Sequence, residues 1–446
     1  MSCRANLDRL ARQQVGVLGF GREGRAAARA LQSRNADARI TVLVESGVPE
    51  TGGLALVEGP FDERLQGFDA LIRSPGVPVD HPALVAARRA GVPVINPISI
   101  WLDARGQDMT VVGVTGSKGK STTASLLAHL LRGVGRGVLL AGNIGVSLLD
   151  HLETSADVAV IELSSYQLAD LEGRLDIGLI TRLFPEHLDW HGNLERYFSS
   201  KLRLAELLHG GPLLVNATDP VLVERTRHLA GRVLANRSPC VHRQDDDLVL
   251  DGRILCRRSE LPLIGRHNLD NAALALQAGM LLGCEVDELA LALPSFCPLP
   301  HRLEPVASTS GVRFVNDSIS TSPHATLAAL EAIRPAPVVL IAGGQPRPAD
   351  WTPVLDWVRA HGLTGLVTLP DNGREIAGLF RNRVGDRAGR IVQADDLDAA
   401  VEVAFRLAEP GMVVLLSPGA PSFQRFRDFE QRGERFRAAV GRIPAG

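Results

Sequence analysis

An α/β architecture of three successive doubly wound units is predicted by three features of this 446-residue sequence. Short β-branched runs alternate with helical stretches along almost the whole chain, the pattern of parallel strands joined by crossover helices. Two glycine-rich turns each follow such a run directly, where open α/β sheets place their ligands. The length also suffices for about three domains of ~150 residues, each able to bury its own core.

In the first unit, residues 15–18, 40–44, 70–72 and 92–95 read as strands. A second series at 110–114, 138–140, 158–161, 177–180 and 212–215 carries a glycine loop at its first strand-to-helix turn. Around 245–256 the pattern changes to a hairpin turning at Asp251-Gly252, a pair that accepts the positive φ angles of a tight turn. The third series, 312–315, 337–341, 366–368, 390–392 and 412–416, follows the proline-rich joint Cys297-Pro298-Leu299-Pro300-His301, a natural hinge. Domains are therefore expected at 1–107 (a substrate-binding unit), 108–298 (a nucleotide-binding unit) and 299–446. The arginine-rich segment 424–437 alternates with Phe426, Phe429 and Phe436. It reads as an amphipathic helix with a solvated basic face.

Composition narrows the partners. No apolar run approaches the ~18 residues of a membrane span, and the N-terminus lacks the apolar core of a secretory signal. A soluble cytoplasmic protein without membrane contacts is expected. A net charge of −2 with no strongly basic block argues against a nucleic-acid surface. The five cysteines (Cys3, Cys240, Cys256, Cys284, Cys297) form no Cys-x-x-Cys pair, so neither a disulfide framework nor a zinc site is indicated.

The loop of the second unit reads Thr115-Gly116-Ser117-Lys118-Gly119-Lys120-Ser121-Thr122. It departs from the strict Walker spacing, because Val114 stands where that pattern has glycine. The chemistry survives the departure. Glycines let backbone N–H groups approach phosphate oxygens and the helix N-terminus adds its dipole; Lys120 can reach β/γ-phosphates and Ser121 can ligate Mg²⁺. In the first unit, Gly19-Phe20-Gly21-Arg22-Glu23-Gly24 follows a strand and Glu45 ends the next one, which matches the dinucleotide fingerprint. A nicotinamide cofactor and a UDP-linked diphosphate both suit such a turn. In the middle unit Glu162, then Ser164-Ser165-Tyr166-Gln167, then His187 and Asp189 fall just past predicted strands. Each alone could be a satisfied polar group at a strand end. Together they bring carboxylate and imidazole toward a phosphate loop, as Mg²⁺-dependent phosphoryl transfer requires.

In order along the chain stand the phosphate loop, Gly142-Asn143-Ile144-Gly145, 162–168, Glu186-His187-Leu188-Asp189, Lys201, Gly265-Arg266-His267-Asn268 through Asn271, 300–304, Asn316-Asp317-Ser318 and Leu416-Ser417-Pro418. This series resembles the Mur ligase family, ATP-dependent amide-forming enzymes of bacterial cell-wall precursor synthesis. The short first unit, the Ser74-Pro75-Gly76 turn and the ending Ser422 to Gly433 most resemble its glutamate-adding members, whose acceptor is UDP-N-acetylmuramoyl-L-alanine. The resemblance implies a monomer that makes an acyl phosphate from ATP and the acceptor carboxylate, which glutamate's amine then attacks. Gly116, Ser117, Lys118, Gly119, Lys120, Ser121, Thr122, Asn271, Arg302 and Asp317 would bind ATP. Gly19, Phe20, Gly21, Glu45, Ser74 and Asn143 would bind the UDP substrate. Lys120, Glu162, His187 and Lys201 would be catalytic, and Ser121, Glu162, His187 and a carbamylated Lys201 would hold Mg²⁺. Closure of the third domain is implied to exclude water from the acyl phosphate.

Thr321, Ser422 and Phe429 match the family's amino-acid pocket. The D-glutamate-adding members usually carry Asn-Asp-Ser-Lys-Ala-Thr where this chain has Asn316-Asp317-Ser318-Ile319-Ser320-Thr321, and a lysine where Arg347 follows the Gly343-Gly344 turn. Displaced cations favour L-glutamate over D-glutamate as the added residue. A folylpolyglutamate synthase-like ligase, an NAD-dependent dehydrogenase and a non-catalytic nucleotide-binding regulator are the remaining alternatives.

Overall fold

Runs of Val, Ile and Leu that are buried on both faces form the central strands of parallel sheets, because crossover helices cover each side. In the computed structural model, which describes residues 6–105 and 109–444, the chain divides into two compact units, Met1–Leu261 with Leu269–Phe296, and Pro262–Asn268 with Cys297–Gly446. Cys3, part of the expected 1–107/108–298 boundary and the side chain of Asp189 lie outside the described residues.

The first unit holds three sheets. β1 (Gln14–Leu18), β2 (Arg39–Val44), β3 (Ala55–Glu58), β4 (Ala70–Arg73) and β5 (Val94–Ile95) make a parallel sheet in the order β3-β2-β1-β4-β5. β6 (Thr110–Thr115), β7 (Val138–Gly142), β8 (Val158–Glu162), β9 (Ile177–Ile180), β10 (Leu213–Asn216) and β11 (Arg232–Ala235) make a second, in the order β11-β10-β9-β6-β8-β7. From β6 the chain winds first to one side and then, at β9, to the other, so the end of β6 lies at the topological switch point. Register pairs Val114 with Glu162 and Thr115 with Ile180, which brings the ends of β8 and β9 beside the phosphate loop. The two sheets share one apolar core that runs from Val15 and Val17 through Trp101 and Val111 to Ile161. β12 (His242–Gln244), β13 (Asp247–Leu250) and β14 (Arg253–Cys256) form a small antiparallel sheet. Its turn has positive φ at both Asp251 and Gly252, as the hairpin reading required.

The second unit carries β15 (Glu304–Thr309), β16 (Val312–Asn316), β17 (Val338–Ala342), β18 (Gly365–Thr368), β19 (Arg390–Gln393) and β20 (Val413–Leu416), in the order β15-β16-β20-β17-β18-β19. Only the edge strand β15 is antiparallel to its neighbour. The break at Cys297 falls at the start of the proline-rich joint, and Gly265-Arg266-His267-Asn268 belongs to this second unit. The basic C-terminal segment departs from expectation. The helix spans Phe429–Val440 only, and Arg432 is fully buried within it. Its guanidinium donates to the Ser318 hydroxyl and carbonyl and to the Ala420 carbonyl, partners that a periodicity count does not see.

Candidate active site

The loop between β6 and the helix Lys120–Gly133 is shaped by close backbone approach. Gly116 has φ +145°, and a Cβ there would stand 2.0 Å from Thr181 Oγ1. That hydroxyl is committed to the Lys118 carbonyl at 2.5 Å and the Thr115 carbonyl at 3.2 Å. Gly119, at φ +90°, is the helix N-cap, and no side chain caps it. A Cβ at Gly119 would meet Asn271 Oδ1 at 2.6 Å, so Asn271 packs directly on the loop. The uncapped helix end leaves its partial positive charge toward the loop, suited to anionic oxygens. Lys120 Nζ donates to the Ser117 carbonyl at 3.0 Å, and Lys118 pairs with Glu186 at 2.8 Å. Thr122 is buried in the first helical turn, after Ser121. Ser117 has a different part. Its amide donates to the Arg182 carbonyl, and its hydroxyl donates to the Phe184 carbonyl while accepting from the Phe184 amide and the Tyr197 hydroxyl.

Behind this loop lies Lys201, 2% exposed, whose Nζ donates to the Gly116 carbonyl at 2.7 Å. Burial, reinforced by Lys120, holds its ammonium well below the usual lysine range, against the opposite pull of Glu186 and Glu162. Glu162 is 1% exposed. One carboxylate oxygen accepts from Asn143 Nδ2 at 2.9 Å, and the other has no hydrogen-bond partner. A buried carboxylate oxygen in that state suits a cation. His187 has φ +54°, and its ring lies 5.2 Å from Tyr166 and 6.2 Å from Tyr197. Among the described residues no group of three or more His, Cys, Asp and Glu side chains is gathered to hold a metal. A divalent ion here would need the Ser121 hydroxyl or a modified Lys201 as well as Glu162 and His187.

The glycine turn after β1 lies in the same unit. Gly19 has φ +78°, and a Cβ at Gly24 would strike the Gly19 carbonyl at 2.2 Å; Gly21 caps the helix Arg22–Arg34. The Ser74 hydroxyl donates to the Gly19 carbonyl at 2.9 Å, tying the two turns together. Phe20 is buried beneath Arg25, and Glu45 is half exposed near His81. Arg22 reaches the carbonyls of Gly142, Asn143 and Gly145, so this turn is joined to the loop that carries Asn143.

In the second unit the Asp317 carboxylate is turned inward. It accepts from the Ser320 and Ser417 hydroxyls at 2.5 and 2.9 Å and from the Leu303 amide at 3.2 Å. Burial pushes its carboxyl up to about 6 against those hydrogen bonds and the nearby Arg302. Thr321 is half-buried, Ser422 buried, Phe429 half-buried and Arg347 exposed. Ser422 and Arg432 line a cavity of about 200 Å³ with Gly343, Gly344 and Arg425. The cavity lies at the carboxyl ends of β17 and β18, where an open α/β sheet binds ligands.

Residues 114–279 match the Mur ligase middle domain and residues 301–419 the Mur ligase glutamate ligase domain. Over 96% of its length the chain is 40% identical to the UDP-N-acetylmuramoyl-L-alanine--L-glutamate ligase of a Micromonospora strain, covering 96% of that protein. The chain belongs to the Mur ligase family. It is 39% identical to the ligase of the same name from Salinispora tropica, over 96% of this chain and 97% of that one. Among solved structures, the MurF ligase of Thermotoga maritima in complex with ADP shares the fold with a TM-score of 0.58 at 18% identity, over 98% of this chain and 97% of that one.

Several residues that shape this Mur ligase site escape a motif reading. Thr181 braces the phosphate loop, Tyr197 donates to Ser117, and Arg73, fully buried, gathers the carbonyls of the Ser74 turn. The signal sequence offers for Arg73 is its place at the end of an otherwise apolar strand run, Ala70-Leu71-Ile72; its burial is decided by the fold, since arginine is rarely fully buried unless paired. Thr181 and Tyr197 give no comparable sign.

Proposed function

We propose that this Mur ligase joins L-glutamate to UDP-N-acetylmuramoyl-L-alanine at the expense of ATP, within peptidoglycan precursor synthesis. The names of the relatives support the acceptor and the enantiomer, as do Ile319 and Arg347 in place of the lysines usual in D-glutamate-adding members. The observation that carries the chemistry is the contact between the Gly116 carbonyl of the phosphate loop and the buried amine of Lys201, beside the unpartnered oxygen of Glu162.

A carboxylate resists amine attack because its leaving group would be oxide. Transfer of the γ-phosphoryl group to the acceptor carboxylate breaks the β–γ P–O bond, releases ADP and leaves an acyl phosphate; attack by the glutamate amine then expels phosphate. The helix end at Gly119 and the Lys120 ammonium offset charge on the transferring group. We assign ATP contacts to the loop 116–122 and Asn271, with Arg302 and Asp317, and domain boundaries at 1–107, 108–298 and 299–446. The Ser117 hydroxyl and the Asp317 carboxylate also hold their neighbours in place through the hydrogen bonds they make. The acceptor falls to Gly19, Phe20, Gly21, Glu45, Ser74 and Asn143, and the amino acid to Thr321, Arg347, Ser422 and Phe429. The unpartnered oxygen of Glu162 fits Mg²⁺, with Ser121, His187 and Lys201 as further ligands. That ion would supply charge neutralisation at the phosphates. Burial disfavours the charged form of Lys201, and the unprotonated amine can add to CO₂ and lose a proton to become an anionic carbamate. The modification would replace an amine, cationic when protonated, by an anion that can bind Mg²⁺. Among the described residues no helix is long and apolar enough to cross a membrane, and we read the enzyme as a cytoplasmic monomer.

The test is phosphate release from ATP with UDP-N-acetylmuramoyl-L-alanine and each glutamate enantiomer offered separately. Release with the L form alone is the expected result. Release with D-glutamate alone overturns the enantiomer, and release with neither overturns the acceptor assignment.

A further inference from the structure

We infer that Arg73 is the positioning residue of the acceptor site, organising the turn Ser74-Pro75-Gly76 from inside. The side chain closes β4 and is 0% exposed. Nη1 donates to the carbonyls of Ser74 at 3.2 Å, Pro75 at 3.2 Å and Val77 at 2.6 Å. Nε and Nη2 grip the two oxygens of Asp170 at 2.7 and 2.6 Å, and Nη2 also donates to the Tyr166 carbonyl at 3.0 Å. Asp170 is held in turn by Asn96 Nδ2 at 2.8 Å, which also donates to the Gln167 carbonyl at 2.7 Å. One planar cation thus ties a turn of the first sheet to the short helix Ser165–Leu168 that follows β8 and Glu162.

The consequence for a ligand follows from peptide geometry. In a trans peptide the C=O and the next N–H point in opposite directions. Three carbonyls drawn onto Arg73 therefore turn the following N–H positions away from it. Two of those positions are Pro75 and Pro78, which have no N–H. The Gly76 amide is the donor that remains, on an exposed residue whose own carbonyl accepts from Trp190 Nε1 at 3.3 Å. Ser74, beside it, is tied to the first glycine turn through the Gly19 carbonyl. A buried ion pair is weak evidence for stability, because a well-packed apolar pair often serves as well. What the guanidinium supplies is five donors in a fixed plane, which lysine cannot reproduce. Arg73 therefore sets the direction of a backbone donor for the UDP-linked acceptor. Its donors are engaged with the Ser74 turn, Asp170 and Tyr166, so it acts on the acceptor through the turn.

This inference rests on the reading that the Ser74 turn holds the acceptor, and the experiment separates the two. Steady-state phosphate release is measured for Arg73→Lys, Asp170→Asn and Ser74→Ala in the full-length enzyme, with each of the three substrates varied in turn. In Arg73→Lys the KM for the acceptor should rise at least tenfold, while kcat and the KM for ATP and for glutamate stay within twofold. Should Arg73→Lys fail to fold, Asp170→Asn keeps the shape of the carboxylate and is expected to show the same selective rise. An unchanged acceptor KM in a folded variant, or an equal rise in all three KM values, overturns the inference. If Ser74→Ala weakens the acceptor and Arg73→Lys does not, Arg73 alone has been misread. If neither changes the acceptor KM, the turn is not the acceptor site.

Discussion

Replacing Gly116 by alanine tests whether the phosphate loop works through its backbone position. The added Cβ would lie 2.0 Å from Thr181 Oγ1, 3.0 Å from the Arg182 amide nitrogen and 3.1 Å from that of Thr181. Comfortable contacts are about 3.5 Å or more, so the nearest pair must separate by more than 1 Å. Thr181 cannot simply swing aside, because its hydroxyl is spent on the Lys118 and Thr115 carbonyls. The loop itself has to move, and with it the Gly116 carbonyl that receives the Lys201 amine. A φ of +145° adds strain for any residue with a Cβ, on the order of 1–3 kcal/mol. Displacing a positioning loop by about 1 Å costs roughly 10²-fold in rate, equivalent to about 2.7 kcal/mol of transition-state stabilisation. The expected outcome is a folded protein with a lowered melting midpoint and roughly a hundredfold smaller kcat/KM for ATP in the phosphate-release assay. Adding Thr181→Ala removes the clashing oxygen and leaves the φ strain, so the double variant should recover part of the rate and little of the stability. Activity of Gly116→Ala within threefold of the parent would show that the loop does not act as described.

Lys120→Ala should abolish phosphate release while leaving the melting midpoint nearly unchanged, because this half-buried side chain serves ligand charge rather than the core; calorimetry beside the assay checks both halves. Lys201→Ala should lose activity that acetate partly restores by supplying the missing anion, and a variant as active as the parent would sink the carbamate. Asp317 gives a pH dependence of defined sign. Its carboxyl titrates near 6 when folded and 3.8 when unfolded, so both states are protonated below 3.8. Between 3.8 and 6 only the unfolded state ionises, and about 3 kcal/mol of stability is lost as pH rises, with no further loss from this group above 6. Against Asp317→Asn the parent should therefore lose ground between pH 4 and pH 6 in denaturant titrations; a constant difference over that range refutes the assignment.

Periodicity and turn chemistry determined much of this protein before any tertiary contact is considered. The doubly buried strands, the Asp251-Gly252 hairpin and the two glycine turns are local matters. Each is encoded by residues within a few positions of one another, through β-propensity and tolerance of positive φ. The strands that escape such a reading are edge or peripheral ones. β3 and β11 are only half-buried, β12 is three residues of polar character, and β15 contains Pro305, which an edge strand tolerates. The ordered motifs also singled out Lys120, Glu162 and Lys201 as catalytic candidates and Asn143 as a substrate contact. The tertiary structure alone decided what those side chains can do. That the Lys201 amine sits buried on the Gly116 carbonyl with its charged form disfavoured, that Glu162 keeps one oxygen unpartnered, and that the Ser117 hydroxyl and the Asp317 carboxylate are engaged in internal bonds follow from which distant segments pack against them. Arg432 and Arg73 make the point most directly. A local pattern scores both as surface cations, yet both are fully buried, because distant groups converge on their donors: the Ser318 hydroxyl and carbonyl on Arg432, and Asp170 with the Tyr166 carbonyl on Arg73. Desolvation and hydrogen-bond satisfaction are sums over all neighbours in space, and the identity of those neighbours is what a linear pattern lacks.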